Sequence, residues 1–196
     1  MLMIEGPDMV GKTVLAEALA TRLREMGLPV ERDKFGLPER DSMLAEVKRR
    51  AVPLRVVDRC WPSEVVYSWA ARNQPPAVTP RECAEMMDLF RAAGGLFVVV
   101  VATPQAYEVL IKRHWARGEA FTRDQCRAVN RAYDDVFCGH TRPTPYCDFQ
   151  MPQPRAECHF TVGLKGGEPF HPSSDRGFVD KVCELYANRQ RAIGAV

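Results

Sequence analysis

Gly6-Pro7-Asp8-Met9-Val10-Gly11-Lys12-Thr13 reads G-x-x-x-x-G-K-T, the sequence of a phosphate-binding loop. It follows a short apolar run, Met1 to Glu5, and precedes an amphipathic stretch that begins at Thr13. This context predicts a strand that leads into the loop and a helix whose N-terminal N–H groups face a ligand. The loop's N–H groups would then bind phosphate, Lys12 would reach the β- and γ-phosphate oxygens, and the Thr13 hydroxyl would ligate Mg²⁺. The sequence therefore predicts a site for a nucleoside triphosphate with Mg²⁺.

Short apolar runs alternate with amphipathic stretches along the rest of the chain. Such alternation predicts right-handed crossovers and a parallel sheet with helices on both faces, which is a three-layer α/β fold. The valine-rich run Leu96 to Ala102 is typical of a central strand that is buried on both faces. We expect one domain over residues 1–196 with about five strands, at Met1–Glu5, Pro29–Arg32, Leu54–Val57, Leu96–Ala102 and Glu157–Val162.

Capping signals and apolar periodicity define the predicted helices. Thr79-Pro80-Arg81-Glu82 is a capping box with proline at the first helical position, and Thr122 to Gln125 is a second capping box. The closing helix is expected over Asp175–Arg191, with Phe178, Val182 and Leu185 facing the core. The remaining predicted helices cover Thr13–Met26, Glu39–Ala51, Ser63–Ala71 and Thr103–Arg117.

The composition is that of an ordinary globular protein, with 46% hydrophobic and 27% charged residues in a chain of 196. The formal net charge of +2 is too small to indicate a nucleic-acid partner by itself. No apolar run approaches the length of a membrane span, and the first run is assigned to a strand rather than to a secretory signal. The seven cysteines include no C-x-x-C pair, which is typical of reduced thiols in the cytoplasm. We therefore expect a cytoplasmic protein without a membrane partner.

One group of cysteines and histidines requires a decision about zinc. Cys138, His140, Cys147, Cys158 and His159 fall within a short stretch of the sequence. Their spacings do not match the usual pairs of zinc ligands, and Cys158 falls in a predicted strand. We favour buried thiols and a surface histidine over a zinc site.

The dipeptide Asp58-Arg59 follows a predicted buried strand, at the edge of the sheet where the phosphate-binding loop also lies. A carboxylate there can hold Mg²⁺, and the following arginine can bind a phosphate through two hydrogen bonds. Beyond it, Trp61 and Tyr67 could stack on a nucleobase, and Ser63 could form a hydrogen bond with the acceptor substrate. Both aromatic rings could equally pack a helix against the sheet.

At this point the chain resembles the thymidylate kinase-like branch of the nucleoside and nucleotide kinases. The segments that carry the resemblance are Ile4–Thr13, the D-R-x-x-x-S-x-x-x-Y run Asp58–Tyr67, and Arg113-His114-Trp115-Ala116-Arg117-Gly118-Glu119. The last segment is similar to the family's lid, and the helix that follows it contains a late tyrosine, Tyr133. The resemblance implies a P-loop kinase fold with a short arginine-bearing lid around residues 113–125.

The resemblance also implies roles for individual residues. The loop from Asp8 to Thr13 would bind ATP with Mg²⁺, Asp58 would help to hold the metal, and Asp8 would in addition lie near the acceptor. Arg59 would bind the acceptor's phosphate or reacting end. Arg113 and Arg117 lie four residues apart on one helix face, so both could reach the same phosphates, and Arg123 is a third candidate.

The segment between the phosphate-binding loop and Asp58 departs from the family pattern. Thymidylate kinases hold thymine with a phenylalanine and an arginine from a longer segment, whereas Arg40 to Arg50 contains no aromatic residue. Asp33 becomes a candidate general base here, because a hydroxyl acceptor needs a base and a monophosphate acceptor does not. Asp33 could also be part of a charged surface turn, and Lys48, Arg49 and Arg50 could track a polynucleotide or form a solvated helix face.

We expect an ATP-dependent phosphotransferase whose acceptor is a deoxynucleoside monophosphate, such as dTMP. The alternative is a kinase for a hydroxyl, either of a deoxynucleoside or of 5-hydroxymethyluracil in DNA, because relatives of this kind occur in bacteriophages that modify thymine. A GTPase switch is disfavoured because no N-K-x-D motif is present. The loop Gly163 to Ser174 is expected near the adenine base, and the family resemblance makes a homodimer possible.

Overall fold

The computed structural model describes residues 1–34, 43–115, 121–137 and 156–196. Its main sheet has five parallel strands in the order β2-β3-β1-β4-β5. A separate antiparallel pair, β6 with β7, follows the last strand of that sheet. The strands are β1 (Leu2–Glu5), β2 (Glu31–Lys34), β3 (Arg55–Asp58), β4 (Leu96–Ala102), β5 (Cys158–Val162), β6 (Leu164–Lys165) and β7 (Glu168–Pro169).

Helices cover both faces of the sheet. Side chains of α1, α5 and α7 form a core with one face, and side chains of α2, α3, α4 and α6 form a core with the other. All seven residues of β4 are buried, as its run of valines predicts. The helices are α1 (Lys12–Glu25), α2 (Met43–Arg50), α3 (Trp61–Ala70), α4 (Pro80–Ala92), α5 (Pro104–Trp115), α6 (Arg123–Phe137) and α7 (Arg176–Ala192), with a 3₁₀ turn at Pro172–Ser174.

The sheet register brings the ends of β1 and β3 together. Ile4 pairs with Asp58, and Glu5 pairs with Val99 of β4. In a parallel sheet the loops that follow such strand ends share one edge, which is where ligands bind in this class of fold. The loop after β1 and the turn after β3 therefore lie side by side.

The capping predictions are confirmed. Thr79 accepts a hydrogen bond from the Glu82 N–H, and the Glu82 carboxylate accepts one from the Thr79 N–H. Thr122 and Gln125 exchange the same pair of bonds at the start of α6. These reciprocal bonds satisfy N–H groups that a helix N-terminus leaves without partners.

Some details of the predicted elements differ. The second strand runs over Glu31–Lys34 and not over Pro29–Arg32. Leu185 was expected in the core, but 38% of it is exposed. The inward face of α7 is instead centred one position later, on Val179, Val182, Cys183 and Tyr186, so that Leu185 falls at its margin.

Among the described helices, none combines the length and the apolar character that crossing a lipid bilayer requires.

Candidate active site

The loop between β1 and α1 has the backbone conformation of a compact anion-binding turn. Gly6 has φ +150°, and a Cβ there would clash with the carbonyl oxygen of Val100. Gly11 has φ +86° and caps α1 at its N-terminus. Met9 lies between them with φ +73°, which is uncommon for a residue other than glycine. Both glycines are thus required by the local geometry, as the motif predicts.

Lys12 lies at the centre of this loop. Its side chain is almost completely buried, and its ammonium donates a hydrogen bond to the carbonyl oxygen of Pro7. The lysine therefore folds back over the loop that it belongs to. A cation in this position, beside the first N–H groups of α1, provides the electrostatic environment that a polyphosphate needs.

Thr13 and Asp58 form the contact that is most relevant to a metal. The Thr13 hydroxyl donates a hydrogen bond to Asp58 Oδ2 at 2.5 Å. Asp58 is 1% exposed, and its Oδ1 is buried without a hydrogen-bond partner among the described residues. A buried carboxylate oxygen without a donor is costly, and a cation would remove that cost. A carboxylate and a hydroxyl are also suitable ligands for Mg²⁺, so the two side chains fit the predicted ion.

Arg59 reaches back from the end of β3 to the phosphate-binding loop. It has φ +72°, and its backbone N–H donates to the carbonyl oxygen of Ile4 at 3.0 Å. Its guanidinium forms an ion pair with Asp8 and lies over the ring of Tyr67, 5.3 Å from the ring centroid. The Tyr67 hydroxyl donates to Asp8 Oδ2 at 2.8 Å. The predicted residues Asp8, Arg59 and Tyr67 therefore form one cluster beside the loop.

Burial would lower the pKa of the Arg59 guanidinium, but the nearby Tyr67, Tyr133 and Glu5 groups reverse that effect and raise it. Arg59 is consequently a permanent cation in a largely enclosed position. A cation of this kind is suited to an anionic ligand that can compete with Asp8 for it.

Beneath this cluster lies Glu5, a residue for which the sequence analysis proposes no role. It is fully buried, and its carboxylate accepts hydrogen bonds from the Cys60 N–H, the Ser63 hydroxyl and the Tyr133 hydroxyl. Burial raises the pKa of Glu5 to about 7, although these donors act in the opposite direction. The signal that could have found it is a carboxylate as the last residue of a buried strand, directly before the glycine loop.

Ser63 and Trp61 lie in the interior. Ser63 is 1% exposed and bonds to Glu5 and Tyr133 rather than facing an open pocket. Trp61 is fully buried, and its ring meets that of Phe90 edge to face at 6.1 Å between centroids. The expected stacking of Trp61 on a base and the expected bond from Ser63 to an acceptor do not agree with these placements. The cause is that α3 begins at Trp61, which turns both side chains toward the sheet.

Asp33 lies on β2, at the edge of the sheet. Its carboxylate forms ion pairs with Arg55 at 3.0 Å and with Arg50 at 3.3 Å. The structure thus gives the Asp33 carboxylate two guanidinium partners. Arg50 therefore lies within an ion-pair network, whereas the side chains of Lys48 and Arg49 are more than half exposed.

The predicted lid is described only in part. Arg113 on α5 is exposed and forms an ion pair with Glu168 of β7. Arg123 begins α6, and Arg117 lies outside the described residues. Within the predicted lid, the ring of Phe121 lies against that of Tyr67, with 5.6 Å between centroids. The described part therefore connects the lid to the Arg59 cluster through Phe121, and the predicted pairing of Arg113 with Arg117 stays a prediction.

The segment expected near the adenine base forms the β6–β7 hairpin and the 3₁₀ turn. Its residue His171 packs against the phosphate-binding loop, since a Cβ on Gly11 would lie 2.8 Å from His171 Nδ1. His171 is not among the site residues that the sequence predicts. A histidine that follows a hairpin in this way carries no distinctive local motif.

The cysteine and histidine group is only partly described. Cys158 is buried in β5, and His159 is exposed and bonds through Nε2 to Thr161. Cys138, His140 and Cys147 lie outside the described residues. Within residues 1–34, 43–115, 121–137 and 156–196, no three histidine, cysteine, aspartate or glutamate side chains form a metal-binding group.

Comparisons with known proteins agree with the architecture. No family model matches the chain, and no curated protein matches it. Among solved structures, the YorR protein from Bacillus subtilis in complex with phosphorylated GDP is similar, with a TM-score of 0.61 and 19% identity over 96% of this chain and 97% of that chain. The structure of APE1195 gives a TM-score of 0.40 at 16% identity over 98% of this chain and 95% of that chain. The likeness to YorR shows a shared fold and confirms the predicted three-layer α/β class.

Proposed function

We propose that this protein is a Mg-ATP-dependent phosphotransferase that acts on a nucleoside monophosphate. The observation that carries the proposal is that Asp58 and Arg59, which are adjacent in sequence, contact the phosphate-binding loop on two different sides. Asp58 bonds to Thr13 on the side of α1, and Arg59 pairs with Asp8 on the side of α3. A donor polyphosphate and a phosphate acceptor would therefore meet between them.

In the proposed reaction, an oxygen of the acceptor's phosphate attacks the γ-phosphorus of ATP. The bond between that phosphorus and the β–γ bridging oxygen breaks, and ADP leaves with the electron pair. Lys12 and the N–H groups of the loop would bind the donor phosphates, and Thr13 and Asp58 would hold Mg²⁺, which supplies charge neutralisation when bound. Arg59 would exchange Asp8 for the acceptor's phosphate, and lid arginines would cover the transferring group and exclude water.

A monophosphate acceptor suits the site better than a hydroxyl acceptor. A hydroxyl must lose a proton to a base during transfer, whereas a phosphate oxygen is already ionised. Asp33, the base expected for a hydroxyl, is engaged by two guanidinium groups instead. Asp8 is likewise occupied by Arg59 and Tyr67. The hydroxyl acceptors, including a deoxynucleoside and 5-hydroxymethyluracil in DNA, are therefore the second arm of the test.

The test measures transfer of label from γ-labelled ATP in the presence of Mg²⁺. One arm contains a panel of nucleoside and deoxynucleoside monophosphates, with guanine nucleotides included because YorR was solved with phosphorylated GDP. The other arm contains deoxynucleosides and DNA with and without 5-hydroxymethyluracil. We expect labelled nucleoside diphosphate in the first arm. If no labelled diphosphate forms and the label appears in DNA or in a phosphorylated deoxynucleoside, the proposal is overturned.

A matched pair of variants controls for contaminating kinases. Lys12→Ala removes the loop cation and should abolish transfer. Lys48→Ala removes a half-exposed lysine whose partner is Glu85 on α4, and should leave transfer unchanged. Transfer that persists in Lys12→Ala would mean that the activity comes from another protein or another site.

A further inference from the structure

Glu5 is the buried carboxylate at the carboxyl end of β1, and its burial needs an explanation. Three donors meet its two oxygens: the Cys60 N–H at 2.5 Å, the Ser63 hydroxyl at 2.5 Å and the Tyr133 hydroxyl at 2.9 Å. The hydroxyl oxygens of Ser63 and Tyr133 also lie 2.9 Å from each other. Burying a carboxylate is expensive even when it is hydrogen-bonded, so an apolar residue would pack the interior at a lower cost.

The backbone around Arg59 is held from both sides by β1. The Arg59 N–H donates to Ile4, and the next N–H along the chain, that of Cys60, donates to Glu5. Between these two bonds Arg59 adopts φ +72°, a conformation that residues with a side chain adopt only when their surroundings enforce it. That conformation lets the guanidinium reach Asp8 and the face of Tyr67.

We propose that Glu5 is a positioning residue that holds Arg59 in the acceptor site. It acts through the Cys60 N–H, which sets the turn, and through Ser63 and Tyr133, which connect α3 and α6 to the same carboxylate. The nature of the ligand that Arg59 meets rests on the proposed function. The fixing of Arg59 by Glu5 rests only on the contacts described above.

A second buried carboxylate, Glu64, shows what a purely structural arrangement looks like. Glu64 is 5% exposed and accepts hydrogen bonds from the Ser68 hydroxyl at 2.8 Å and the Ala77 N–H at 3.1 Å. Its charge is balanced by Arg72, at 2.7 Å. The described hydrogen bonds to Glu5 come only from neutral donors, while the nearby cation Arg59 points to Asp8. The charge of Arg59 therefore remains directed at the site.

The primary experiment follows the guanidinium of Arg59 by NMR, in ¹H–¹⁵N spectra of the arginine Nε–H groups. The signal of Arg59 is assigned by its loss in Arg59→Lys. We expect Glu5→Ala to move this signal toward the position of a free arginine, and Glu5→Gln to restore most of the wild-type shift because one amide oxygen can still accept from Cys60. The control Glu64→Gln should leave it in place. An Arg59 signal that is the same in Glu5→Ala and wild type would overturn the inference.

Single hydroxyl deletions provide the same test without the risk of unfolding. Tyr133→Phe and Ser63→Ala each remove one donor to Glu5 and should shift the Arg59 signal in the same direction by a smaller amount. Tyr186→Phe is the matched control, because Tyr186 is equally buried but donates to the carbonyl oxygen of Arg55. An unchanged Arg59 signal in both hydroxyl variants would also overturn the inference.

A kinetic arm connects the positioning to function. Glu5→Ala should raise the KM for the monophosphate acceptor by about tenfold, the equivalent of about 1.4 kcal/mol, and leave the KM for ATP within about twofold. A merely structural role would lower the amount of active enzyme and leave both KM values as they are. If wild-type protein transfers no phosphate while the Arg59 signal responds as expected, the proposed function fails and the positioning role stands.

Discussion

The two halves of the candidate site are built in different ways. The donor half comes from one continuous segment, β1 to α1, and a single addition from β3, Asp58. The acceptor half combines Asp8 and the buried carboxylate Glu5 of that same segment with Arg59 after β3 and Tyr67 of α3, which are distant in sequence. Local sequence therefore encodes the donor half, whereas long-range packing of α3 and α6 on the sheet creates the acceptor half.

The difference also appears in the charges. On the donor side, Asp58 retains a carboxylate oxygen that has no hydrogen-bond partner among the described residues. On the acceptor side, Asp8 and Arg59 neutralise each other, so an anionic ligand must displace an existing ion pair. Under the proposed function, the donor half would be ready for a cation and a polyphosphate, and the acceptor half would open only by exchange of partners.

The largest expected effect is at Asp58, and it distinguishes metal binding from nucleotide binding on the donor side. Asp58→Asn keeps a hydrogen-bond acceptor for Thr13 but removes the charge. We expect kcat with Mg²⁺ to fall by about a hundredfold, because charge stabilisation at the transferring phosphate is lost. The affinity for ATP measured without Mg²⁺ should change little. A comparable loss of ATP affinity without Mg²⁺ would instead show that Asp58 maintains the structure of the loop.

A smaller effect is expected on the acceptor side. Arg59→Ala should raise the KM for the acceptor by roughly tenfold to a hundredfold, in line with the loss of a charged hydrogen-bonded partner. The KM for ATP should stay near its wild-type value. Steady-state kinetics with each substrate varied in turn checks this split, with Arg49→Ala as an exposed-arginine control. A rise in the KM for ATP alone would move Arg59 to the donor half.

Glu5, which lies beneath the acceptor half, should make the free energy of unfolding depend on pH. Because burial raises the pKa of Glu5 from 4.5 to about 7, the folded protein binds a proton more tightly than the unfolded chain does. This contribution is fully present below about pH 4.5 and is lost as the pH rises through about 7. The neighbouring hydroxyls of Tyr67 and Tyr133 do not titrate in this range, since burial raises the pKa of both.

We therefore expect the free energy of unfolding of the wild type to fall between pH 5 and pH 7 relative to that of Glu5→Gln. Urea unfolding of both proteins at the two pH values measures the difference. Parallel pH profiles for the two proteins would show that Glu5 is already ionised at the lower pH.

The smallest effect is expected at Asp33. Asp33→Asn should change transfer to a monophosphate by less than about threefold, because the carboxylate of this residue is engaged in an ion-pair network with Arg50 and Arg55. Initial rates at saturating substrates check this. A loss of several powers of ten would show that Asp33 takes part in the transfer itself and not only in the ion-pair network.

The same contrast explains what the sequence can predict. The strand, loop and helix around Lys12, the strand β4 and both capping boxes follow from local patterns, and they appear where expected. The placement of Trp61 in the core does not follow, because the direction of a side chain at a helix start depends on how the helix packs. The roles of Glu5 and His171 are not predicted for a related reason: the partners of both residues are distant in sequence.

The central claim is that the two halves act together to transfer phosphate, and the product ratio tests it most directly. Purified protein is incubated with ATP, Mg²⁺ and each nucleoside monophosphate in turn, and ³¹P NMR follows ADP, nucleoside diphosphate and free phosphate. The account predicts, for at least one acceptor, equal amounts of ADP and nucleoside diphosphate and little free phosphate. ADP with an equal amount of free phosphate, and no diphosphate from any acceptor, would contradict it and indicate a nucleotide hydrolase.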